Sequence, residues 1–180
     1  WRYYLEFIVF GGYPRVVLAA DEEEKKEILR ELAFSYIKKD ILEAGVKQEE
    51  LFYKLFRLLA AQVGSLVNTS ELADTLDVSR TTIDNYLYIM QKSFHLALMK
   101  PFFSNVRKEL TRMPKVFFYD LGLRNFFVND FAGFAQRRDR GQVLENAVFR
   151  QLLEKYSLYE LNFWRTIQKQ EIDFVAANQE

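Results

Sequence analysis

The side chains with the plainest chemistry are hydrogen-bond donors and cations in two adjacent segments. Ser79, Arg80, Thr81, Thr82, Asn85 and Tyr88 lie on the outward side of a stretch whose Ile83, Tyr86, Leu87 and Met90 repeat at helical spacing. Polar groups at the start of such a helix can donate to phosphate oxygens and base edges in a DNA major groove. Downstream, between residues 94 and 119, the five bases Lys100, Arg107, Lys108, Arg112 and Lys115 face one acid, Glu109, for a local net charge of +4. That is the sign that phosphate neutralisation requires. Between 64 and 93 the balance reverses, with Glu71, Asp74, Asp77 and Asp84 against Arg80 and Lys92. If duplex DNA is bound, affinity is expected from Arg107, Lys108, Arg112 and Lys115, and base contacts from Arg80, Thr81, Thr82 and Asn85.

The rest of the composition excludes more than it offers. Lys plus Arg and Asp plus Glu both number 25, so no global field draws the chain to nucleic acid or anionic lipid. There is no Cys and one His, which rules out disulfides, cysteine-based zinc sites, cysteine nucleophiles and histidine-based triads. The lone His95 sits in the apolar run Phe94 to Leu98, where a core or boundary position is expected rather than a ligand. Arg2 and Glu6 interrupt the opening WRYYLEFIVFGG, which is also too short to span a bilayer. These features read as a cytoplasmic protein without a membrane partner, and the absent initiator Met reads as a piece of a longer chain.

The elements that must position these groups follow from periodicity. Residues 1–10 read as the end of a helix, stopped by Gly11-Gly12 and Tyr13-Pro14. Asp21 with Glu24 resembles a capping box, opening a helix to about Lys38 along Ile28, Leu29, Leu32, Ala33, Tyr36 and Ile37. A second helix is expected from Gln48 to Val63. Residues 64–94 then read as a helix-turn-helix, with Ala73 allowing a close crossing, Val78 plugging the turn and Ser79 capping the second helix. Asp77 stands where the tight turn favours Gly, and Asp tolerates that conformation. Phe94 to Phe103 and Lys115 to Tyr119 read as the two strands of a wing. After a helix or turn from Asp120, residues 130–141 look polar, basic and exposed. Gln142 to Tyr156 reads as a helix, and 159–174 alternates as a β-hairpin. The expected fold is mainly helical α+β: a helical segment over 1–46, a winged helix over 47–120 and an αβ unit over 121–180.

Several short motifs, in order, carry a family resemblance. They are Gly11-Gly12-Tyr13-Pro14, Tyr36-Ile37-Lys38-Lys39-Asp40-Ile41, the 64–86 motif, Lys100-Pro101-Phe102, the run from Pro114 to Asn125, Leu144-Glu145-Asn146-Ala147-Val148, Phe163-Trp164-Arg165 and Glu171-Ile172-Asp173-Phe174-Val175. Over nearly its whole length the chain resembles the C-terminal portion of a prokaryotic AAA+ ATPase family, in which a P-loop core precedes a domain of unknown function. The resemblance implies an upstream ATPase core that uses ATP and Mg²⁺, a winged helix, and a unit similar to PD-(D/E)XK nucleases. No G-x-x-x-x-G-K-S/T occurs in this chain, so no ATP site is expected within it.

The nuclease resemblance rests on Glu145 in a helix and Asp173 in a strand. It implies that both are catalytic carboxylates around a metal ion, which would activate water and steady a leaving phosphate oxygen. The strand that should follow, bearing Glu or Gln, any residue and then Lys, is missing, so this fold unit is read as truncated and without activity. The plainer alternatives are a solvated helix edge for Glu145 and the polar face of a hairpin for Glu171 and Asp173. The functional expectation is a DNA-binding or DNA-targeting module of such an ATPase, needing no cofactor itself and homo-oligomeric through its parent. The alternative is a protein-interaction module that docks on the ATPase core or another subunit without nucleic acid.

Overall fold

A computed structural model describes residues 1–102, 113–166, 168 and 170–176. The architecture is α+β, with helices packed around a small mixed sheet. Helices α1 (Arg2–Phe10) and α2 (Pro14–Val17) lead into the long α3 (Glu22–Glu43), followed by α4 (Glu49–Ala61), α5 (Thr69–Leu76) and α6 (Arg80–Lys92). Strands β1 (Leu96–Pro101) and β2 (Lys115–Phe118) precede α7 (Leu121–Val128), the short 3-10 turn Phe134–Gln136, α8 (Arg140–Leu152), β3 (Leu161–Arg165) and β4 (Glu171–Ala176). Among the described residues no helix is long and apolar enough to cross a membrane.

Local rules account for most boundaries. The Asp21 carboxylate accepts from the Glu24 amide at 2.9 Å, and the Glu24 side chain reaches back to the Ala20 amide. Helix α3 runs five residues beyond the expected Lys38, because Ile37 and Ile41 continue its buried stripe. Helix α5 ends at Asp77, which is left-handed at φ 54°, and the Ser79 hydroxyl caps α6 by accepting from the Thr82 amide. Leu72, Ala73, Ile83, Tyr86, Leu87 and Met90 are buried in the main core with Phe52, Phe56 and Leu59 of α4.

The strands form one sheet in the order β2-β1-β3-β4. β1 and β2 are antiparallel, from Leu96 opposite Phe118 to Met99 opposite Lys115. β1 runs parallel to β3, and β3 and β4 are antiparallel. The two strands read as a wing are therefore continuous with the C-terminal hairpin. Phe117 stacks on Phe149 of α8 at 4.6 Å between ring centres, which seats that helix against the sheet.

The segment 130–141, expected to be exposed, is partly interior. Arg137 is buried because its guanidinium forks onto Asp139 at 2.8 and 3.0 Å and also donates to the Asn125 side chain and the Asp130 carbonyl. Arg124 on α7, buried as well, reaches the same Asp139 at 2.6 Å and the Ala60 carbonyl at 2.7 Å. Asn125 donates to the carbonyls of Ile8 and Val9 at the end of α1. Asp120 caps α7 through the Leu123 amide and accepts from the Gly12 amide, both at 2.8 Å.

Here α1 crosses α7 so closely that a methyl group on Gly122 would overlap the Phe10 carbonyl. Replacing Gly122 with Ala is expected to cost about 3 kcal/mol or more, read as a lower midpoint in urea unfolding with an unchanged slope. A cost under about 0.5 kcal/mol would show that the crossing is loose.

His95 is buried, with Nε2 2.7 Å from an Asp40 carboxylate oxygen and its ring edge-on to Phe56. Burial pushes its pKa below the ordinary imidazole value of 6.5, although the Asp40 hydrogen bond and charge pull the other way. A folded-state pKa below the unfolded one stabilises the protein above pH 6.5, and that contribution is lost as pH falls through the folded value. Wild-type protein should therefore lose stability below pH 6.5 by up to about 1.4 kcal/mol per pH unit more than His95→Gln. Parallel stability–pH curves would contradict this.

Candidate functional site

Three distant parts of the chain bring four charged groups together on the sheet. Lys115 opens β2, Glu145 lies on α8, and Glu171 and Asp173 stand two apart on β4, so that both leave the strand on the same side. The Lys115 ammonium donates to Glu145 at 2.8 Å, pairs directly with Glu171 and lies 3.7 Å from Asp173. It also sits 5.5 Å from the centre of the Phe163 ring. Arg165 borders the cluster, 3.5 Å from Glu171. Asp173 is its most open member, with 60% of its side chain exposed, whereas Lys115 is 3% exposed.

Backbone pairing on both sides holds Lys115 in place. β1 lies along one edge of β2, and segment 64–67 lies along the other through Gly64 N to Val116 O at 2.8 Å and Val67 N to Pro114 O at 2.8 Å. Gly64 has φ +75°, which favours Gly, and a Cβ there would stand 2.9 Å from a Glu145 carboxylate oxygen, so a side chain would also displace that carboxylate. Asn146 fixes the opposing helix. Fully buried, it accepts from the Phe118 amide at 2.7 Å and donates to the Phe118 carbonyl at 2.9 Å, as a neighbouring strand would. Pinning Asn146 to one end of β2 sets Glu145 over the other.

Burial raises the Glu145 pKa, and the charges of Asp173 and Glu171 add to this, while Lys115 opposes it. Burial alone would weaken the Lys115 ammonium, yet its hydrogen bonds to Glu145 and Glu171 more than offset the loss and hold it above the ordinary lysine value. One ammonium thus serves three carboxylates.

One oxygen from each of Glu145, Glu171 and Asp173 lies within 4.8 Å of the others, a set that could hold a divalent cation. Carboxylate oxygens are the ligand type that hard cations such as Ca²⁺ and Mg²⁺ take. A cation at the centre of these oxygens would compete with the Lys115 ammonium.

Glu145 and Asp173 are therefore brought together, and Glu171 and Lys115 join them. Lys115 is removed from the outward basic set: it is buried against carboxylates and has no surface to offer a phosphate. Thr81 and Asn85 are exposed on α6, Thr82 shares a hydrogen bond with Ser79 at 2.9 Å, and Arg80 lies 3.6 Å from Asp84. Arg107, Lys108 and Arg112 lie outside the described residues. Two signals for the full cluster were present in the sequence: acids at i and i+2 in Glu171-Ile172-Asp173, and a single cation abutting the apolar run Val116-Phe117-Phe118.

The chain belongs to the family described as Domain of unknown function (DUF8612), which matches residues 2–134. Residues 140–180 match a second, Domain of unknown function (DUF4143), so Lys115 falls in the first match and the three carboxylates in the second. An uncharacterized protein of Haemophilus influenzae is 33% identical over 182 residues, covering 97% of this chain and 43% of its own length. An uncharacterized protein of Mycobacterium tuberculosis is 28% identical over 166 residues, covering 91% and 38%. One of Methanocaldococcus jannaschii is 28% identical over 181 residues, covering 97% and 39%. The chain thus spans about two fifths of the length of these curated relatives. No solved structure matches.

Replacing Lys115 with Met leaves three carboxylates without their shared counter-ion. The variant should be about 3 kcal/mol less stable than wild type, and Mg²⁺ or Ca²⁺ should restore more stability to it than to wild type in thermal melts. If neither cation shifts either melt, the cluster is a purely structural ion network.

Proposed function

We propose that this chain is the DNA-directed, non-ATPase portion of a larger AAA+ family ATPase, and that its C-terminal unit is a PD-(D/E)XK-like site for a divalent cation. The convergence of Glu145, Glu171, Asp173 and Lys115 on one sheet carries this reading. The nuclease resemblance singles out Glu145 and Asp173, which are 28 residues apart in sequence yet share one ammonium. Glu145, Glu171 and Asp173 would hold the cation, which supplies charge neutralisation at a phosphodiester and an acidified water. Lys115 would hold the three carboxylates together. Recognition of the duplex falls to the exposed start of α6 and to the basic segment containing Arg107, Lys108 and Arg112. The relatives' additional length leaves room for an ATPase core.

A second reading is a protein-interaction module that docks on the ATPase core or another subunit. The pairing of Arg80 with Asp84 favours it, since it takes a positive charge from the acidic α5–α6 surface.

Titration of a labelled duplex over a salt series separates the two. The DNA reading predicts affinity that falls with salt, and a log–log slope shallower by about 0.9 for each of Arg107, Lys108 and Arg112 replaced with Ala. The absence of binding at low salt, together with a stable oligomer in light scattering that buries α6, would establish the interaction reading instead.

A further inference from the structure

A separate cavity of about 440 Å³ lies where the segment after α1, the middle of α3, the α6–β1 junction and α7 meet. Its walls are mostly apolar and aromatic, including Tyr13, Tyr36, Leu32 and Leu123, and its polar side holds Asp40 and His95. The volume lies within the range of small-molecule sites and exceeds what one protein side chain fills. None of its residues belongs to the carboxylate cluster.

The charges in this cavity reduce to one. Arg15, also on its wall, is held by Glu31 through two hydrogen bonds of 3.1 and 2.8 Å. His95 donates or accepts at Asp40 and, with its pKa held down by burial, is neutral at neutral pH. Asp40 therefore presents a carboxylate in a largely apolar chamber, with one edge occupied by the imidazole. Burial and the charges of Asp120 and Asp40, with a further contribution from Tyr36, push the Tyr13 phenol up to about 12, so Tyr13 stays a neutral ring in a negative field. Tyr36 is 58% exposed despite its size. Between Ser93 and His95 on the wall, Phe94 is held at φ 54°, a left-handed conformation that bulky residues rarely adopt. That bend turns His95 inward while leaving Phe94 69% exposed.

A carboxylate beside aromatic faces is the chemistry that selects organic cations, through charge pairing and cation–π attraction. We propose that this cavity binds a small organic cation, an amidinium or primary ammonium on a flat apolar ring, with its head on Asp40 and its ring against Tyr13 and Tyr36. Such a ligand would bridge the N-terminal helices and the α6–β1 junction, so binding would stiffen the joint between them.

The only histidine makes the test direct, because the imidazole protons of His95 give one assignable NMR signal set. Benzamidinium should shift them saturably in the intact chain, while benzyl alcohol, its uncharged counterpart, should not. Asp40→Asn should weaken benzamidinium binding about tenfold, and Tyr36→Ala, at an exposed position, about threefold. Tyr36→Ala keeps the question answerable if Asp40→Asn fails to fold. An equal response to benzyl alcohol, no saturable shift, or undiminished binding by Tyr36→Ala would overturn the proposal. Tighter binding of a blocked arginine tripeptide than of benzamidinium would overturn the small-molecule assignment in favour of a polypeptide partner.

Discussion

The hexapeptide from Asp120 to Asn125 is the hub on which the rest of the structure depends. Each of its polar members spends its hydrogen bonds on a different part of the chain. Asp120 reaches back to Gly12, Arg124 to the end of α4 and to Asp139, and Asn125 to the end of α1. Gly122 lets α1 come close enough for these bonds to form. A buried arginine or aspartate is costly unless its partners are complete, and here Asp120 finds one 108 residues away and Arg124 finds them 64 and 15 residues away. Such a hub gives little net energy for its size. What it gives is specificity, because a different packing of α1 on α7 would strand several charges in the core.

The carboxylate cluster obeys the same logic at a more exposed address. Lys115 is buried only because Glu145 and Glu171 receive it, and Glu145 is brought there only because Asn146 bonds to β2. The pairing is asymmetric, with three acids around one base and Arg165 at the rim. A purely structural network would be expected to balance its charges. The excess of carboxylates, the openness of Asp173 and the raised Glu145 pKa together describe a site held short of neutrality.

Legibility in the sequence followed the range of the interactions. Helices α3 to α6 could be read because caps and apolar stripes act within a few residues, as Asp21, Ser79 and the Ile83–Met90 face demonstrate. The C-terminal hairpin was legible from alternation and β1 and β2 as extended segments, but their joining into one sheet was not, since the parallel pairing of β1 with β3 crosses sixty residues. Lys115 shows the difference most clearly. Counted by neighbours in sequence, it belonged with Arg107, Lys108 and Arg112. Placed by the register of β2, it faces acids thirty and more than fifty residues away. Arg137 was misread for the same reason: a basic, polar stretch appears solvated until Asp139, Asn125 and the Asp130 carbonyl are seen to close around it.

Moving Lys115 out of the basic set changes the electrostatic argument about α6. The acidic surface of α5 and α6 keeps its four carboxylates, and Arg80 is partly spent on Asp84. Any attraction of α6 toward a duplex must then come from Arg107, Lys108 and Arg112 in the connection between β1 and β2. That connection is tied at its far end to Lys115, and through it to Glu145 and Glu171. The basic run 107–112 and the cation of the cluster are thus close in sequence, Lys115 following Arg112 by three residues.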